Sequence, residues 1–241
     1  MILRGGFTNY GEPVGILMLE TRFPRPAGDI GNAGTFEFPV KYRIVRGASP
    51  ERVVRLGDTQ LLEPFIEAAR ELESGGVRAV TTSCGFLALF QKEIAAALVI
   101  PFFSSSLLQL PLVWRITGCS GPIGVLTVSA ASLTDRHFEM VGAADIPRVV
   151  YGMDGSKEFG RVFMDSSLEG SRDSCTLDME LCTREIEDTA GRMMLEHPEV
   201  RAIVMECTNM PPFREAVRRR TGLPVFDIVT LTRYIYSSVR D

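Results

Sequence analysis

The sequence predicts an α/β protein with two pseudo-symmetric parallel-sheet lobes and an active site in the cleft between them. Apolar runs of strand length alternate with stretches of helical periodicity, the order typical of parallel sheets. Residues 77–84 (VRAVTTSC) recur 123 positions later as residues 200–207 (VRAIVMEC), and both copies end in cysteine. Residues 13–19 (PVGILML) recur 109 positions later as residues 122–128 (PIGVLTV). The chain therefore divides into two related halves, each with one thiol at a corresponding point.

The first half begins with a strand at residues 14–19, because an unbroken apolar run is typical of a strand covered on both faces. Apolar residues at helical spacing then predict a helix that ends before Gly75. The remaining elements predicted in this half are strands at residues 42–45, 77–82 and 99–103, and helices at residues 61–72, 86–98 and 106–116.

The second half repeats this order. Residues 132–135 have capping-box spacing before a helix, and a long helix has an apolar face from Met179 to Met193. Residues 152–176 form a polar connection. The other predicted elements are strands at residues 123–128, 148–151, 200–207 (up to the cysteine) and 223–226, and helices after Pro211 and over residues 227–239.

Residues 20–40 form an unusually long segment rich in Gly, Pro, Asn and Asp. A loop of this length inside a compact domain is usually functional, often as a lid. We expect it to close over a ligand, with Asp29, Asn32 and Lys41 as its polar contacts and Lys41 as a counter-charge for a carboxylate. The alternative is an irregular surface excursion with a solvated Lys41.

Composition narrows the function classes. The net charge of −4 gives no basic face for nucleic acid, and the longest apolar run, residues 94–103, is too short to cross a bilayer. Five cysteines without a C-x-x-C pair and only two histidines predict neither a zinc site nor a disulfide framework. The first residues lack the order of a secretory signal, so we expect a cytoplasmic protein with reduced cysteines.

Cys84 and Cys207 follow strands and precede helices. Ligands of parallel sheets bind beyond the carboxyl ends of strands, and a helix start offers free N–H groups to an anion. The same potential is expected to lower the thiol pKa toward neutrality. Gly85 permits close backbone approach, and Thr208 and Asn209 add side-chain donors.

If the two halves are related by an approximate two-fold axis, the two thiols face each other across a cleft. One thiolate could remove a proton from carbon while the opposing thiol delivers one, which inverts a stereocentre without a cofactor. The structural alternative, two ordinary buried cysteines, is weakened by their repeat-equivalent positions.

The segments around the cysteines, residues 81–86 (TTSCGF) and 206–209 (ECTN), resemble the two active-site motifs of the aspartate/glutamate/hydantoin racemase superfamily. The resemblance covers nearly the whole chain. It implies a first lobe of residues 1–116 plus 227–241, a second lobe of residues 117–226, cofactor-independent chemistry and a homodimer. The chain departs from glutamate racemases in two places, with Cys-Gly-Phe at residues 84–86 where they have Cys-Asn-Thr, and Leu-Glu-Thr at residues 19–21 where they have Asp-Ser-Gly.

The resulting expectation is an isomerase: a racemase or epimerase acting on the carbon next to the carboxylate of an amino acid or related small acid. Cys84 and Cys207 are the expected acid/base pair, without metal or other cofactor. The expected substrate-binding residues are Ser83, Gly85, Phe86, Ser129, Thr208, Asn209, Asn32 and Lys41. A maleate isomerase-like enzyme, an arylmalonate decarboxylase-like enzyme and a non-catalytic binder of small acids remain as alternatives.

Backbone N–H groups at the two cysteine motifs are expected to bind the substrate carboxylate, since no arginine directly flanks either motif. Glu206 precedes Cys207, and strand alternation could direct its side chain away from the sulfur. If instead it lies near the cleft, its charge disfavours a thiolate at Cys207, so that Cys84 would be the resting thiolate.

Overall fold

The computed structural model describes residues 5–164 and 175–240. It contains two four-stranded parallel sheets in the strand orders β2-β1-β3-β4 and β6-β5-β7-β8. The strands are β1 (Val14–Leu19), β2 (Val40–Val45), β3 (Ala79–Thr82), β4 (Phe102–Phe103), β5 (Ile123–Thr127), β6 (Arg148–Gly152), β7 (Ile203–Met205) and β8 (Val225–Phe226). The α-helices are α1 (Leu62–Ser74), α2 (Gln91–Ala96), α3 (Leu110–Ile116), α4 (Asp135–Met140), α5 (Glu158–Phe163), α6 (Met179–Glu196), α7 (Arg214–Thr221) and α8 (Ile228–Val239).

The predicted fold class is confirmed, and the sequence repeat corresponds to a structural one. β1 and β5 are equivalent central strands, each paired in parallel with the strand that leads to a cysteine. All six residues of β1 and all five of β5 are buried, which explains why both strands are unbroken apolar runs.

Helix α8 packs against the first sheet. Ile228, Val229 and Leu231 share a buried cluster with Val14 and Ile16 of β1. Asp227 caps this helix by accepting a hydrogen bond from the backbone N–H of Thr230. The packing supports the assignment of residues 227–241 to the first lobe, although the lobe boundaries remain a prediction.

Several predicted elements differ in the structure. The helices expected at residues 86–98 and 106–116 each begin as a 3₁₀ segment, Gly85–Phe90 before α2 and Ser106–Gln109 before α3. The strand expected at residues 200–207 is reduced to β7. The strand expected at residues 99–103 is reduced to β4, because the N–H of Val99 donates to the carboxylate of Glu73 instead of to a sheet partner.

The polar connection at residues 152–176 contains a short helix that was not predicted. This helix, α5, is held by Glu185 of α6, whose carboxylate accepts from the N–H groups of residues 157–159. Residues 165–174 of the same connection lie outside the described part of the chain.

The capping-box prediction at residues 132–135 was close but shifted. The N-cap of α4 is Thr134, and His137 completes the box. Within the described residues, no helix is both long and apolar enough to cross a membrane.

Replacing Ile228 by alanine should lower the free energy of unfolding by about 2–5 kcal/mol, because its fully buried side chain would leave a cavity between α8 and the first sheet. Tyr234 is on the same helix but is 63% exposed, so Tyr234→Ala should change stability by no more than about 0.5 kcal/mol. Urea denaturation measures both. Equal effects of the two substitutions would contradict the docking of α8.

Candidate active site

The candidate active site is a cleft between the carboxyl ends of β3 and β7. Cys84 and Cys207 each lie two residues beyond one of these strands, and both are buried free thiols. The cleft is narrow, with an accessible cavity volume of about 30 Å³. Its lining combines Leu19, Thr21, Phe23, Arg25, Pro50, Val54, Ser83, Cys84, Gly85 and Phe86 with Val128, Phe163, Met164, Glu206, Cys207, Thr208 and Asn209.

Buried hydrogen bonds between the halves fix the two cysteine motifs relative to each other. The hydroxyl of Thr208 donates to the carbonyl of Ser83 (2.5 Å), and the hydroxyl of Ser106 donates to the carbonyl of Met205 (2.6 Å). The first bond joins the residue before Cys84 to the second half of the chain, and the second joins the last residue of β7 to the first half. The thiol positions therefore depend on direct contacts across the junction.

Burial raises the pKa of the Cys84 thiol to about 12, and the negative charge of Glu206 adds to this effect. The N–H groups of Phe86 and Leu87 and the charge of Arg25 act in the opposite direction but are weaker. The prediction of a thiol pKa lowered toward neutrality was therefore wrong. The N–H groups of the short 3₁₀ segment do not compensate for the loss of water around the sulfur.

The pKa of the Cys207 thiol is also raised well above its ordinary value. Burial is the main cause, followed by the negative charge of Glu206. Cys84 and Asp29 act in the same direction, whereas the N–H of Asn209 lowers the pKa. Both thiols are therefore protonated in the empty cleft at neutral pH, which contradicts the expectation of a resting Cys84 thiolate.

Glu206 faces the cleft, and the expectation that its charge disfavours a Cys207 thiolate is consistent with its position. It is fully buried, and its Oε2 atom accepts a hydrogen bond from the hydroxyl of Thr127 (2.7 Å). Desolvation nevertheless raises the pKa of its carboxyl to about 8, despite this hydrogen bond. An acid in this environment holds its proton at neutral pH.

Arg25 contributes a cation to the cleft lining that the sequence analysis missed. It forms an ion pair with Asp29 (2.7 Å), donates to the hydroxyl of Thr21 (3.1 Å) and lies over the ring of Phe23 (4.6 Å). Asp29 in turn accepts a hydrogen bond from the side chain of Asn209 (2.8 Å), which links Arg25 to the Cys207 motif. The unusual length of the loop at residues 20–40 was the only feature of the sequence that indicated a role for Arg25 in the cleft.

Three phenylalanines form much of the apolar lining. Phe23 and Phe163 meet edge to face, with ring centroids 5.0 Å apart, and Phe86 follows the Cys84 motif. Phe23 and Phe86 belong to the first half of the chain and Phe163 to the second. The cleft thus has an aromatic wall as well as one arginine and two thiols.

The structure brings seven of the predicted site residues together: Cys84, Cys207, Ser83, Gly85, Phe86, Thr208 and Asn209 all line the cleft. Thr208 and Ser83 are engaged with each other across the junction. The prediction that Thr208 provides a free donor for substrate is therefore replaced by a structural role for its hydroxyl.

Four residues predicted to contact a ligand are not in the cleft lining, among them Asp29, whose carboxylate is held by Arg25 and Asn209. Lys41 lies near the amino end of β2, where it pairs with Glu12 (3.3 Å). Asn32 donates to the carbonyl of Arg25 and caps a 3₁₀ turn. Ser129 donates to the carboxylate of Asp154 (2.8 Å). Each of these side chains is used by local structure.

The loop at residues 20–40 is tied to the body of the protein at both ends. Its beginning supplies Thr21, Phe23 and Arg25 to the cleft, and Phe36 and Phe38 are buried in the cluster beneath α8. Closure of this loop over a ligand stays a prediction. Any such motion would have to leave these buried rings in place.

Within the described part of the chain, no group of three or more His, Cys, Asp or Glu side chains is arranged to hold a metal ion. The cleft chemistry offered by the described residues is that of two thiols, one carboxyl group and one guanidinium group. Such a set can bind a small acid and move a proton at carbon.

Comparison with known proteins identifies the relatives of this chain. It is 32% identical over 221 residues to a dimethylsulfoniopropionate lyase of Durusdinium sp. clade D, and the match covers 90% of this chain and 71% of that protein. The chain belongs to the dimethylsulfoniopropionate lyase family. It is also 31% identical over 245 residues to dimethylsulfoniopropionate lyase 6 of Emiliania huxleyi strain CCMP1516, covering 95% of this chain and 60% of that relative, less than two thirds of its length. No family model matches the chain.

Comparison with solved structures shows that this chain has the racemase-like fold. Glutamate racemase from Bacillus anthracis aligns with a TM-score of 0.61 at 14% identity, over 95% of this chain and 81% of that one. Arylmalonate decarboxylase aligns with a TM-score of 0.56 at 15% identity, over 93% and 92% of the two chains. These likenesses confirm the resemblance to the aspartate/glutamate racemase superfamily at the level of fold.

The predicted activity is corrected by the same comparison. A racemase or epimerase, and hence an isomerase, was expected, whereas the curated relatives with about 30% identity over most of the chain are lyases. The two cysteine motifs predicted the fold and the position of the thiols, but they did not distinguish an isomerase from a lyase.

Replacing Thr208 by valine should lower the free energy of unfolding by about 1–3 kcal/mol, because the buried carbonyl of Ser83 would lose its donor. Thr208→Ser keeps the hydroxyl and is the matched control. Urea denaturation of both variants separates the hydrogen bond from the methyl group. If serine costs as much as valine, the bond across the junction is not the stabilising contact.

Alkylation by iodoacetamide at pH 9, where Glu206 is mostly ionised, should be much slower at Cys84 and Cys207 than at the exposed Cys119, because a raised pKa leaves little thiolate at that pH. Glu206→Gln removes a negative charge that raises both pKa values, so labelling of both buried thiols should become faster. The rate at Cys119 should not change. Mass spectrometry of the labelled peptides gives each rate, and an unchanged rate at both buried thiols in the variant would contradict the electrostatic assignment.

Proposed function

We propose that this chain is a dimethylsulfoniopropionate lyase, which converts dimethylsulfoniopropionate into acrylate and dimethyl sulfide. The observation that carries the proposal is the 32% identity to the Durusdinium lyase over 71% of that protein's length. The cleft with both thiols supplies the groups that such a reaction requires.

The proposed reaction is a β-elimination. The substrate has a carboxylate at one end and a dimethylsulfonium cation on the β-carbon at the other. A thiolate removes a proton from the α-carbon, the C–H electron pair forms the carbon–carbon double bond, and the β-carbon–sulfur bond breaks with its electrons going to sulfur. Dimethyl sulfide leaves as a neutral molecule, and the proton remains on the thiol until it passes to solvent.

Cys84 is the better candidate for the base. Glu206 disfavours a thiolate at either cysteine, but Arg25 and the N–H groups of Phe86 and Leu87 favour one at Cys84. Cys84 and Asp29 further disfavour a thiolate at Cys207. The sulfonium charge of a bound substrate acts strongly in a dry cleft and favours ionisation of the thiol further. Cys207 then remains a neutral thiol that can donate a hydrogen bond to the carboxylate as negative charge builds up on it.

Arg25 is placed to bind the substrate carboxylate. Its side chain is only 13% exposed and lies in the cleft lining, where its ion pair with Asp29 fixes its position. A guanidinium group has further N–H donors that can meet a second carboxylate. The sulfonium end would then lie toward the phenylalanines, whose ring faces attract cations.

The elimination and the racemisation expected from the sequence share their first step. Both remove a proton from the carbon next to a carboxylate, which explains how two thiols on this fold serve either reaction. A racemase returns a proton to that carbon, whereas an elimination expels a group from the neighbouring carbon. The leaving group of the substrate decides between them.

The test is release of dimethyl sulfide from dimethylsulfoniopropionate, measured by gas chromatography of the headspace. Cys84→Ala should lower kcat by about 10²–10⁴, the range lost with a general base. Cys207→Ala should cost less, and Cys119→Ala, at an exposed thiol, should retain full activity. No dimethyl sulfide from the unmodified protein would refute the proposed activity. A Cys84→Ala variant within a few-fold of the original rate would refute the assignment of the base.

A further inference from the structure

Glu206 combines deep burial with an incomplete set of hydrogen bonds. Its Oε2 atom is bound by Thr127, but across the described residues its Oε1 atom has no hydrogen-bond partner. A buried carboxyl oxygen without a donor is costly, so each such atom in a native protein calls for an explanation, such as a functional role. Glu206 also forms part of the cleft lining, so its carboxyl group lies beside the space that a ligand would enter.

Gly85 makes room for this carboxyl group. A Cβ atom at position 85 would collide with Oε1 of Glu206 and with the backbone carbonyl oxygen of the same residue, far inside any allowed contact. Glycine next to Cys84 is thus required for Glu206 to occupy its present position. The acid and the gap it fills come from opposite halves of the chain.

The surroundings of Glu206 favour one kind of cation. An ammonium or guanidinium group brings several N–H donors that all need acceptors, whereas the lining of the cleft is mostly apolar and includes Phe86, Phe163 and Val128. A methylated onium group, such as a sulfonium or quaternary ammonium, carries a positive charge without any N–H or O–H donor. It can pair with one carboxylate by charge and place its methyl groups against the rings.

We propose that Glu206 is the counter-ion of the onium group of the substrate and gives up its proton when that group binds. This inference rests on the proposed function, because it assigns the cationic end of that substrate to one side chain. The assignment of Glu206 also extends the proposed function, because it predicts that the site prefers onium ligands even when they do not react.

The charges that face Glu206 set the proton balance. Cys84 and Cys207 are neutral thiols at pH 7, and Arg25 is paired with Asp29, so the empty cleft holds no free cation near the carboxyl group among the residues described. Burial raises the pKa of Glu206 to about 8, so below that pH its carboxyl group is mostly protonated before a ligand binds. A bound cation lowers this pKa and releases the proton.

Pairing with an onium group also affects the thiols. The negative charge of Glu206 is, after burial, the largest cause that raises the pKa of both cysteines. A cation beside the carboxylate offsets that charge. Because the ion pair is neutral overall, loss of the Glu206 proton on binding leaves the two thiols without an added negative charge beside them.

Two probes separate charge from shape. 3-(Trimethylammonio)propionate has a permanent cation at one end and a carboxylate at the other. 4,4-Dimethylpentanoate has the same shape and the same carboxylate, but an uncharged tert-butyl group replaces the trimethylammonium group. Isothermal titration of both ligands at pH 7 should show that the unmodified protein binds the cationic ligand at least about tenfold more tightly, the scale expected for a desolvated charge pair. Titration in two buffers with different ionisation enthalpies should show release of roughly one proton with the cationic ligand only.

Glu206→Gln should abolish both the preference and the proton release, whereas Glu71→Gln, which removes an exposed acid on α1, should preserve them. Should Glu206→Gln fail to fold, the buffer comparison on the unmodified protein decides alone. Equal binding of the two ligands, binding of neither, no proton release, or a Glu206→Gln variant that still prefers the cation would each overturn the assignment. If the preference is found but dimethyl sulfide is never released, the counter-ion stands and the proposed lyase activity fails.

Discussion

Removal of water from the junction of the two lobes is the constraint on which the candidate site depends. Cys84, Cys207 and Glu206 are all buried there, and burial is the largest cause of the raised pKa of each. Oriented N–H groups act against this effect but are outweighed. The groups that would do the chemistry are therefore neutral in the empty cleft, and their ionisation depends on the charge that a ligand brings.

The sequence predicted the architecture well because the signals for it are local and occur twice. The apolar run of β1 matches that of β5, and each cysteine strand pairs with its central strand as the repeat implied. The predicted ends of strands and helices were less accurate where a backbone N–H group bonds to a distant side chain instead of to the backbone of its own helix or sheet. The N–H of Val99, for example, donates to Glu73, which no pattern around residue 99 could indicate.

The candidate site was only partly predictable, and the errors share one physical origin. Residues adjacent to the cysteines are carried into the cleft by the strands themselves, so Ser83, Gly85, Phe86, Thr208 and Asn209 line it, and their role in binding stays a prediction. Arg25 and Phe163 come from connections whose path depends on long-range packing, and both were missed. Lys41 was assigned by its charge alone, but it lies near the amino end of its strand and pairs with Glu12.

The proximity of Gly85 to Glu206 links the two halves of the chain as a steric pair. A residue with any side chain at position 85 would collide with the carboxyl group, and a shorter residue at position 206 would leave the space beside the glycine empty. Even a small residue at position 206 would leave its backbone carbonyl in the way of a Cβ atom at position 85, so the glycine is fixed by the path of the second cysteine motif as well as by the acid. A related protein that carries a side chain after its first cysteine is therefore expected to hold its two cysteine motifs further apart, in a wider cleft.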